Sequence, residues 1–186
     1  MTGLDDRTTR ELRGLTRVLV RSGYADDGQV RSAVADAVRE DARGVDPVPL
    51  TDQLVTDAVS ELQADAAAWP EQTDCDRLDA VLAALEARGL VVVRYCADHH
   101  DARRALEVAP GNVAGVAFFT DTDVWHAVEF GMLELKLWHP DTANVAPGDA
   151  LLDDVLALLR EHGLAATFDE GRIEIGLDWQ RRGEWV

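Results

Sequence analysis

Two short runs of apolar residues constrain the fold of this chain more than any other feature of its sequence. They are residues 90–93 and 113–119, and neither contains a polar side chain. Uninterrupted apolar segments of this length are typical of strands that lie in the middle of a sheet and are covered on both faces. Both runs are far shorter than the ~20 residues that a helix needs to cross a bilayer. They predict a sheet with two central strands, and no association with a membrane.

Three further strands and several helices are predicted in the same half of the chain. Residues 133–137 and 172–177 alternate apolar and polar side chains, which indicates strands with one wet face. Residues 165–168 and 172–177 flank a short Asp-Glu-Gly loop that fits a hairpin. Helical periodicity fills the intervals between the strands. We therefore predict an α+β fold: a two-layer domain with a five-stranded mixed sheet covered mainly on one face by helices.

The first 69 residues show helical periodicity only. Apolar residues recur at i, i+3 and i+4 in three segments, and the third begins after Thr51. A glycine- and proline-containing break at residues 44–49 precedes that segment, and Trp69-Pro70 follows it. We predict an N-terminal helical region at residues 1–69 and an α+β sheet domain at residues 70–186. The sheet domain is expected to fold without residues 1–43.

The charge of the chain is strongly negative and unevenly distributed. There are 35 acidic and 18 basic side chains, a formal net charge of −17, and residues 44–87 hold ten acids and one base. A surface this acidic repels phosphate, so nucleic acid is not expected as a partner. The same charge suits a basic protein partner that is attracted by electrostatic steering.

Five arginines of the first predicted helix project within about a third of its circumference, since successive residues turn by ~100°. They are Arg7, Arg10, Arg13, Arg17 and Arg21, called the arginine stripe below. The stripe could bind phosphate or an acidic partner. We favour docking onto the acid-rich residues 44–87, either in the same chain or across the interface of a homo-oligomer.

The loop after the first strand, Cys96-x-x-His99-His100, holds the most suggestive candidates for chemistry. A thiolate and imidazoles are common zinc ligands, and a two-residue spacer lets Cys96 and His99 reach one ion. Cys75 could join them only if its helix begins beside the loop. The alternative is a polar loop next to a buried cysteine. Since a structural zinc site normally has four ligands, we expect no cofactor and no tightly bound zinc.

Two aromatic-histidine pairs and one acidic triplet complete the candidates. Trp125-His126 and Trp138-His139 could line a ligand pocket, with a histidine as proton carrier, but core packing and a turn explain them as well. Asp121-Thr122-Asp123 has the spacing of some divalent-metal motifs. Its position at the start of a predicted helix favours helix capping.

Several separated motifs between residues 69 and 182 form a recognisable pattern: Trp69-Pro70, Thr73-Asp74, Asp76-Arg77-Leu78-Asp79, Gly115, Phe118-Phe119, Asp123, Ala127-Val128-Glu129, Gly131, Gly163-Leu164, Arg172-Ile173, Leu177-Asp178-Trp179 and Arg181-Arg182. The pattern resembles an uncharacterised family of small proteins from high-GC bacteria, which is grouped only as a domain of unknown function. The resemblance implies no established activity.

The chain departs from that family at two positions. Many members carry a CCxxCG-like cluster after the first strand and a His-x-Gln-Asp turn after the second. Here Cys96 remains, His99 stands where the later cysteine would be, and the turn reads Thr-Asp-Thr-Asp at residues 120–123. The resemblance therefore implies that any metal or thiol site of the relatives has exchanged ligands here or been lost.

The sequence supports one leading hypothesis and one rival. The start of the chain has no apolar core of a signal peptide, and two cysteines are too few for a disulfide framework, so we expect a cytoplasmic protein with reduced thiols. The leading hypothesis is a non-catalytic acidic protein-binding or regulatory module, for example an inhibitor or immunity protein directed at a basic partner. The rival is a small metal- or thiol-dependent enzyme centred on Cys96, His99 and His100.

Overall fold

The computed structural model describes residues 5–186, which form seven helices and one five-stranded mixed sheet. The predicted α+β fold and the N-terminal helical region are confirmed. The helices are α1 (Asp6–Ser22), α2 (Asp27–Asp41), α3 (Pro47–Ala66), α4 (Asp74–Ala87), α5 (His99–Val108), α6 (Asp121–Phe130) and α7 (Ala150–Glu161). The strands are β1 (Leu90–Cys96), β2 (Gly115–Thr120), β3 (Met132–Trp138), β4 (Ala165–Asp169) and β5 (Arg172–Gly176).

The described chain divides into two compact units. The helical unit runs to Glu71 and also includes Gln180–Val186, and the sheet unit is Gln72–Trp179. That residues 70–186 fold on their own stays a prediction. The C-terminal segment is grouped with the helices rather than with the sheet.

The helical unit is built from α1, α2 and α3 around one apolar core. Val30, Val34 and Val55 in this core are fully buried. Helix α3 begins at Pro47, earlier than the start that was predicted after Thr51. The two prolines of residues 44–49 lie in the first turn of α3 rather than in a break before it. Proline fits there because the first turn needs no N–H donor and because its φ is suitable for a helix.

The C-terminal segment makes specific contacts within the helical unit. The Arg181 guanidinium lies 4.3 Å from the ring centroid of Tyr24. The backbone N–H of Asp27 donates to Glu184 Oε2 at 3.0 Å, and Gln63 Nε2 donates to the carbonyl of Trp185 at 3.0 Å. These contacts join residues more than a hundred positions apart, so the segment is part of the packed unit.

The sheet has the strand order β1-β2-β3-β5-β4. Strands β1 and β2 are parallel, and all other neighbouring pairs are antiparallel. The hairpin predicted for the last two strands is confirmed. A bulge interrupts the β1–β2 register between Val93 and Cys96, and bulges are a common means of redirecting side chains at the end of a strand.

Helices cover the two faces of the sheet unequally. One face carries the fully buried leucines of β3 and isoleucines of β5, and it is covered by α4 and α7, which contact the sheet at β1 and β4 and also contact each other. On the other face, α5 packs on β1 and β2, where Ala102 meets Val116 and Phe118. Helix α6 contacts β1, β2 and, most extensively, β3. The polar side chains of β3 and β5 on that second face are only partly buried, and we call this part of the sheet its open part.

Candidate functional site

The open part of the sheet carries charged side chains in an unfavourable register. Glu134 of β3 lies directly opposite Glu174 of β5, and Lys136 lies directly opposite Arg172. Like charges in directly opposed positions destabilise a sheet. The like-charged pairs therefore need oppositely charged neighbours, which other positions of the same two strands supply.

A cleft of about 460 Å³ opens on this surface. We call it the open-face cleft. Its volume lies within the range of about 300–1,000 Å³ that is typical of small-ligand sites. It is lined by residues from β2, β3, β5, the start of α5 and three loops: Ala97, Asp98, His99, Phe118, Thr120, Glu134, Lys136, Trp138, Asn144, Glu170, Gly171 and Arg172.

The floor of the open-face cleft is a continuous network of ion pairs. Lys136 Nζ pairs with Asp123, whose side chain is only 4% exposed, and it lies 3.4 Å from Glu134 Oε2. Arg172 Nε lies 3.4 Å from Glu134 Oε1, and Arg172 Nη2 lies 3.3 Å from Glu174 Oε1. Glu134 is the main cause of a pKa above the ordinary value for the Arg172 guanidinium. Both cations are thus held by carboxylates of the protein itself.

Aromatic rings form one wall of the cleft. The ring centroids of Phe118 and Trp138 are 4.6 Å apart in a T-shaped contact. The His99 ring is 6.4 Å from Trp138, also edge to face. Trp138 is partly exposed. The cleft therefore places an indole beside a set of charged groups.

Backbone strain in the described chain is concentrated around the same cleft. Residues 5–186 contain three non-glycine residues with positive φ: Tyr95 at 54°, Thr142 at 69° and Glu170 at 42°. Glu170 lines the cleft, and the other two each stand two positions before a lining residue, Ala97 and Asn144. Strained backbone conformations cluster at binding and active sites. The strain therefore singles out this cleft as the candidate functional site.

The structure separates the candidate metal ligands of the Cys96 loop. Cys96 is buried, and its Sγ donates to the carbonyl of Phe119 at 3.4 Å. His99 and His100 are exposed at the start of α5, with ring centroids 4.1 Å apart, and of the two only His99 lines the cleft. Within residues 5–186, no group of three or more His, Cys, Asp and Glu side chains could hold a metal ion.

The Cys96 thiol is expected to resist alkylation in the folded protein. Burial is the main cause that raises its pKa from 9.0 to about 11. At neutral pH a pKa of about 11 in place of 9.0 lowers the thiolate fraction about 100-fold, and only the thiolate attacks iodoacetamide. Mass spectrometry after labelling at pH 7.5 tests this, with the exposed position Ser32→Cys as a control. Equal labelling rates at Cys96 and at the control position would contradict the burial.

We expect protein purified without chelator to contain much less than one zinc per chain, because the candidate ligands do not converge. Elemental analysis measures this directly. A content near one zinc per chain, lost in both Cys96→Ser and His99→Ala, would contradict the expectation and favour the rival enzyme hypothesis.

The arginine stripe lies along α1, and part of it is engaged inside the helical unit. Arg21 pairs with Asp65 of α3, which belongs to the acid-rich residues 44–87. Arg17 is partly buried, whereas Arg7, Arg10 and Arg13 are exposed. Arg21 thus contacts the acid-rich segment, and docking of the stripe as a whole stays a prediction.

The two aromatic-histidine pairs lie outside the residues that line the cleft, except for Trp138. His139 Nε2 lies 3.0 Å from Asp149 Oδ2, and this hydrogen bond is the main cause of a lowered pKa for Asp149. The rings of Trp125 and His126 are 5.0 Å apart on α6. Neither histidine is placed to transfer a proton in the cleft.

The acidic triplet at residues 121–123 serves the start of α6. Thr120 is the N-cap, its Oγ1 accepts from Asp123 N at 3.3 Å, and Asp123 Oδ2 accepts from Thr120 N at 2.6 Å. This reciprocal pair is a capping box. The capping interpretation is confirmed, and Asp123 also forms the buried end of the ion-pair network.

The chain belongs to a family defined as a domain of unknown function, DUF6891, whose model matches residues 5–183. The predicted resemblance to an uncharacterised family is confirmed, and the match extends through the helical unit. No curated protein and no solved structure matches the chain. Within residues 5–186, no helix combines the length and the apolar character that are needed to span a membrane.

Proposed function

We propose that this protein is a non-catalytic cytoplasmic module that binds a basic partner protein through the open-face cleft. The observation that carries the proposal is the concentration of backbone strain around one acidic, aromatic-walled cleft. Strain of this kind lowers stability and persists where a site requires a particular geometry. A regulatory or inhibitory role toward the partner is the form of this function that fits a small acidic protein.

Charge supports a basic partner. The chain has a formal net charge of −17, which attracts a cationic protein over a distance and raises the rate of encounter. The cleft is lined by three carboxylates, Asp98, Glu134 and Glu170, and by two cations, Lys136 and Arg172. The local excess therefore has the same sign as the whole chain.

The state of the candidate chemical groups favours binding over catalysis. A thiol-dependent reaction needs an accessible thiolate, whereas the Cys96 thiol is buried and has a raised pKa. Of the histidines proposed as proton carriers, His139 is hydrogen-bonded to Asp149 outside the cleft.

The proposal is tested with a fluorescein-labelled peptide of eight lysines as a probe for a basic partner. Its affinity for the full chain is measured by fluorescence anisotropy at several salt concentrations. The double variant Glu134→Gln/Glu170→Gln is expected to bind about three- to tenfold more weakly, because two partly exposed charge contacts are lost.

A matched control removes the same charge elsewhere in the sheet unit. Asp154→Asn/Glu161→Gln changes two exposed acids of α7 and is expected to alter the affinity less than about twofold. Equal weakening in the two double variants would show diffuse attraction and contradict a role for the cleft. Failure of the wild-type chain to bind the peptide at low salt would contradict the proposal as a whole.

A further inference from the structure

We infer that the open-face cleft binds a guanidinium group, the side chain of an arginine presented by the partner. The guanidinium stacks on Trp138 and pairs with Glu170. This inference rests on the proposed function and names the chemical group that the cleft recognises. It follows from the charge around the cleft, the conformation of Glu170 and the position of the indole.

The charges around the cleft favour a cationic guest. Lys136 is paired with Asp123 and Glu134, and Arg172 is paired with Glu134 and Glu174. An anionic guest would have to compete with these carboxylates for cations that are already neutralised. A cationic guest meets an excess, since six carboxylates lie in the cleft or its ion-pair network against two cations: Asp98, Asp123, Glu134, Asp169, Glu170 and Glu174.

Glu170 supplies a carboxylate at the rim of the cleft. Glu170 and Gly171 form the two-residue loop of the β4–β5 hairpin, with φ of 42° and 93°. Loops with positive φ at both positions strongly favour Asn, Asp or Gly at the first position. The chain has a glutamate there instead, and Glu170 makes no ion pair within residues 5–186. A carboxylate at a strained position, with no partner of its own, is available to a guest.

The indole of Trp138 favours an arginine over a lysine as the guest. Trp138 borders the cleft and is partly exposed, with Phe118 packed against it edge to face. A planar guanidinium can stack on an indole and at the same time direct its N–H groups to carboxylates beside the ring. An ammonium is a compact charge that lacks this fork. The same chain already uses such a contact, since the Arg181 guanidinium lies over the Tyr24 ring.

The inference is tested by NMR titration of the ¹⁵N-labelled full chain with three N-acetylated, C-amidated tripeptides. Their sequences are Gly-Arg-Gly, Gly-Lys-Gly and Gly-citrulline-Gly, and citrulline has nearly the shape of arginine without its charge. We expect the arginine peptide to shift the indole N–H of Trp138 and the amides of Gly171 and Arg172. The lysine peptide is expected to bind more weakly, and the citrulline peptide is expected to cause no saturable shift.

Three variants assign the contacts. Glu170→Gln is expected to weaken arginine-peptide binding about two- to fivefold, and Trp138→Leu about tenfold. Glu161→Gln, on α7, is the control and is expected to bind like the wild type. If Trp138→Leu fails to fold, Glu170→Gln alone decides, because an exposed change that keeps the side-chain shape leaves the hairpin intact.

The inference is overturned if citrulline binds as well as arginine, if lysine binds as well as arginine, or if Glu170→Gln leaves the affinity unchanged. Saturable shifts of the Trp138 indole by inorganic phosphate, without any by the arginine peptide, would overturn it in favour of an anion site. The proposed function fails separately, when the octalysine peptide binds the cleft double variant and its control equally.

Discussion

Replacing Gly115 with alanine is expected to lower the free energy of unfolding by about 3 kcal/mol or more. A Cβ built at Gly115 would lie 2.4 Å from the backbone oxygen of Trp138 and 3.2 Å from Leu151 Cδ2. The first contact is with the backbone of the neighbouring strand β3, so it cannot be relieved by a side-chain rotation. Because residues of β2 and β3 line the open-face cleft, the substitution is also expected to distort that site.

Gly14→Ala provides the matched control for this substitution. A Cβ at Gly14, in the interior of α1, meets no atom within 4 Å. Removing glycine from a helix interior is expected to stabilise the protein by about 0.5–1 kcal/mol. Urea unfolding followed by circular dichroism measures both variants. A Gly115→Ala variant as stable as the wild type would contradict the close approach of β2 to β3.

Replacing Asp123 with alanine is expected to lower the free energy of unfolding by about 2–4 kcal/mol. The side chain of Asp123 is 4% exposed and pairs with Lys136, and its Oδ2 accepts from the backbone N–H of Thr120 at 2.6 Å. The substitution removes one half of the capping box of α6. It also leaves the Lys136 ammonium without its most buried partner.

Two further variants separate these causes. Asp121→Ala changes an exposed carboxylate in the same helical turn and is expected to destabilise the protein by less than about 1 kcal/mol. Asp123→Ala/Lys136→Met removes both members of the ion pair and should recover part of the loss, because no buried charge is left unpaired. If the double variant is less stable than Asp123→Ala, the loss of Asp123 as a partner of Lys136 is not the cause of the effect.

The elements of the fold could be predicted because their signals are local. The alternation of residues 133–137 predicted β3 and its polar face. The short Asp-Glu-Gly loop predicted the antiparallel pairing of β4 with β5. The start of α3 was misplaced because prolines that usually interrupt a helix are accommodated in its first turn. The C-terminal segment has no periodic pattern, and its contacts with the helices are non-local, so its place could not be read from the sequence.

The candidate site was only partly predictable. His99 was among the candidates, and Trp138 was recognised as part of a pair, but the charged residues of β3 and β5 were interpreted as an ordinary wet face. Their meeting in one cleft depends on the register that places Lys136 opposite Arg172. The surroundings of Cys96 were also not predictable in detail. A bulge lies between Val93 and the buried Cys96, and nothing in the local sequence indicates this bulge.

The most direct test of the central claim is to map the binding of the octalysine peptide on the ¹⁵N-labelled full chain by NMR. We predict that the largest shifts cluster around the open-face cleft, at Trp138, Asn144, Gly171 and Arg172. Largest shifts on the acid-rich residues 44–87, with the cleft undisturbed, would contradict it.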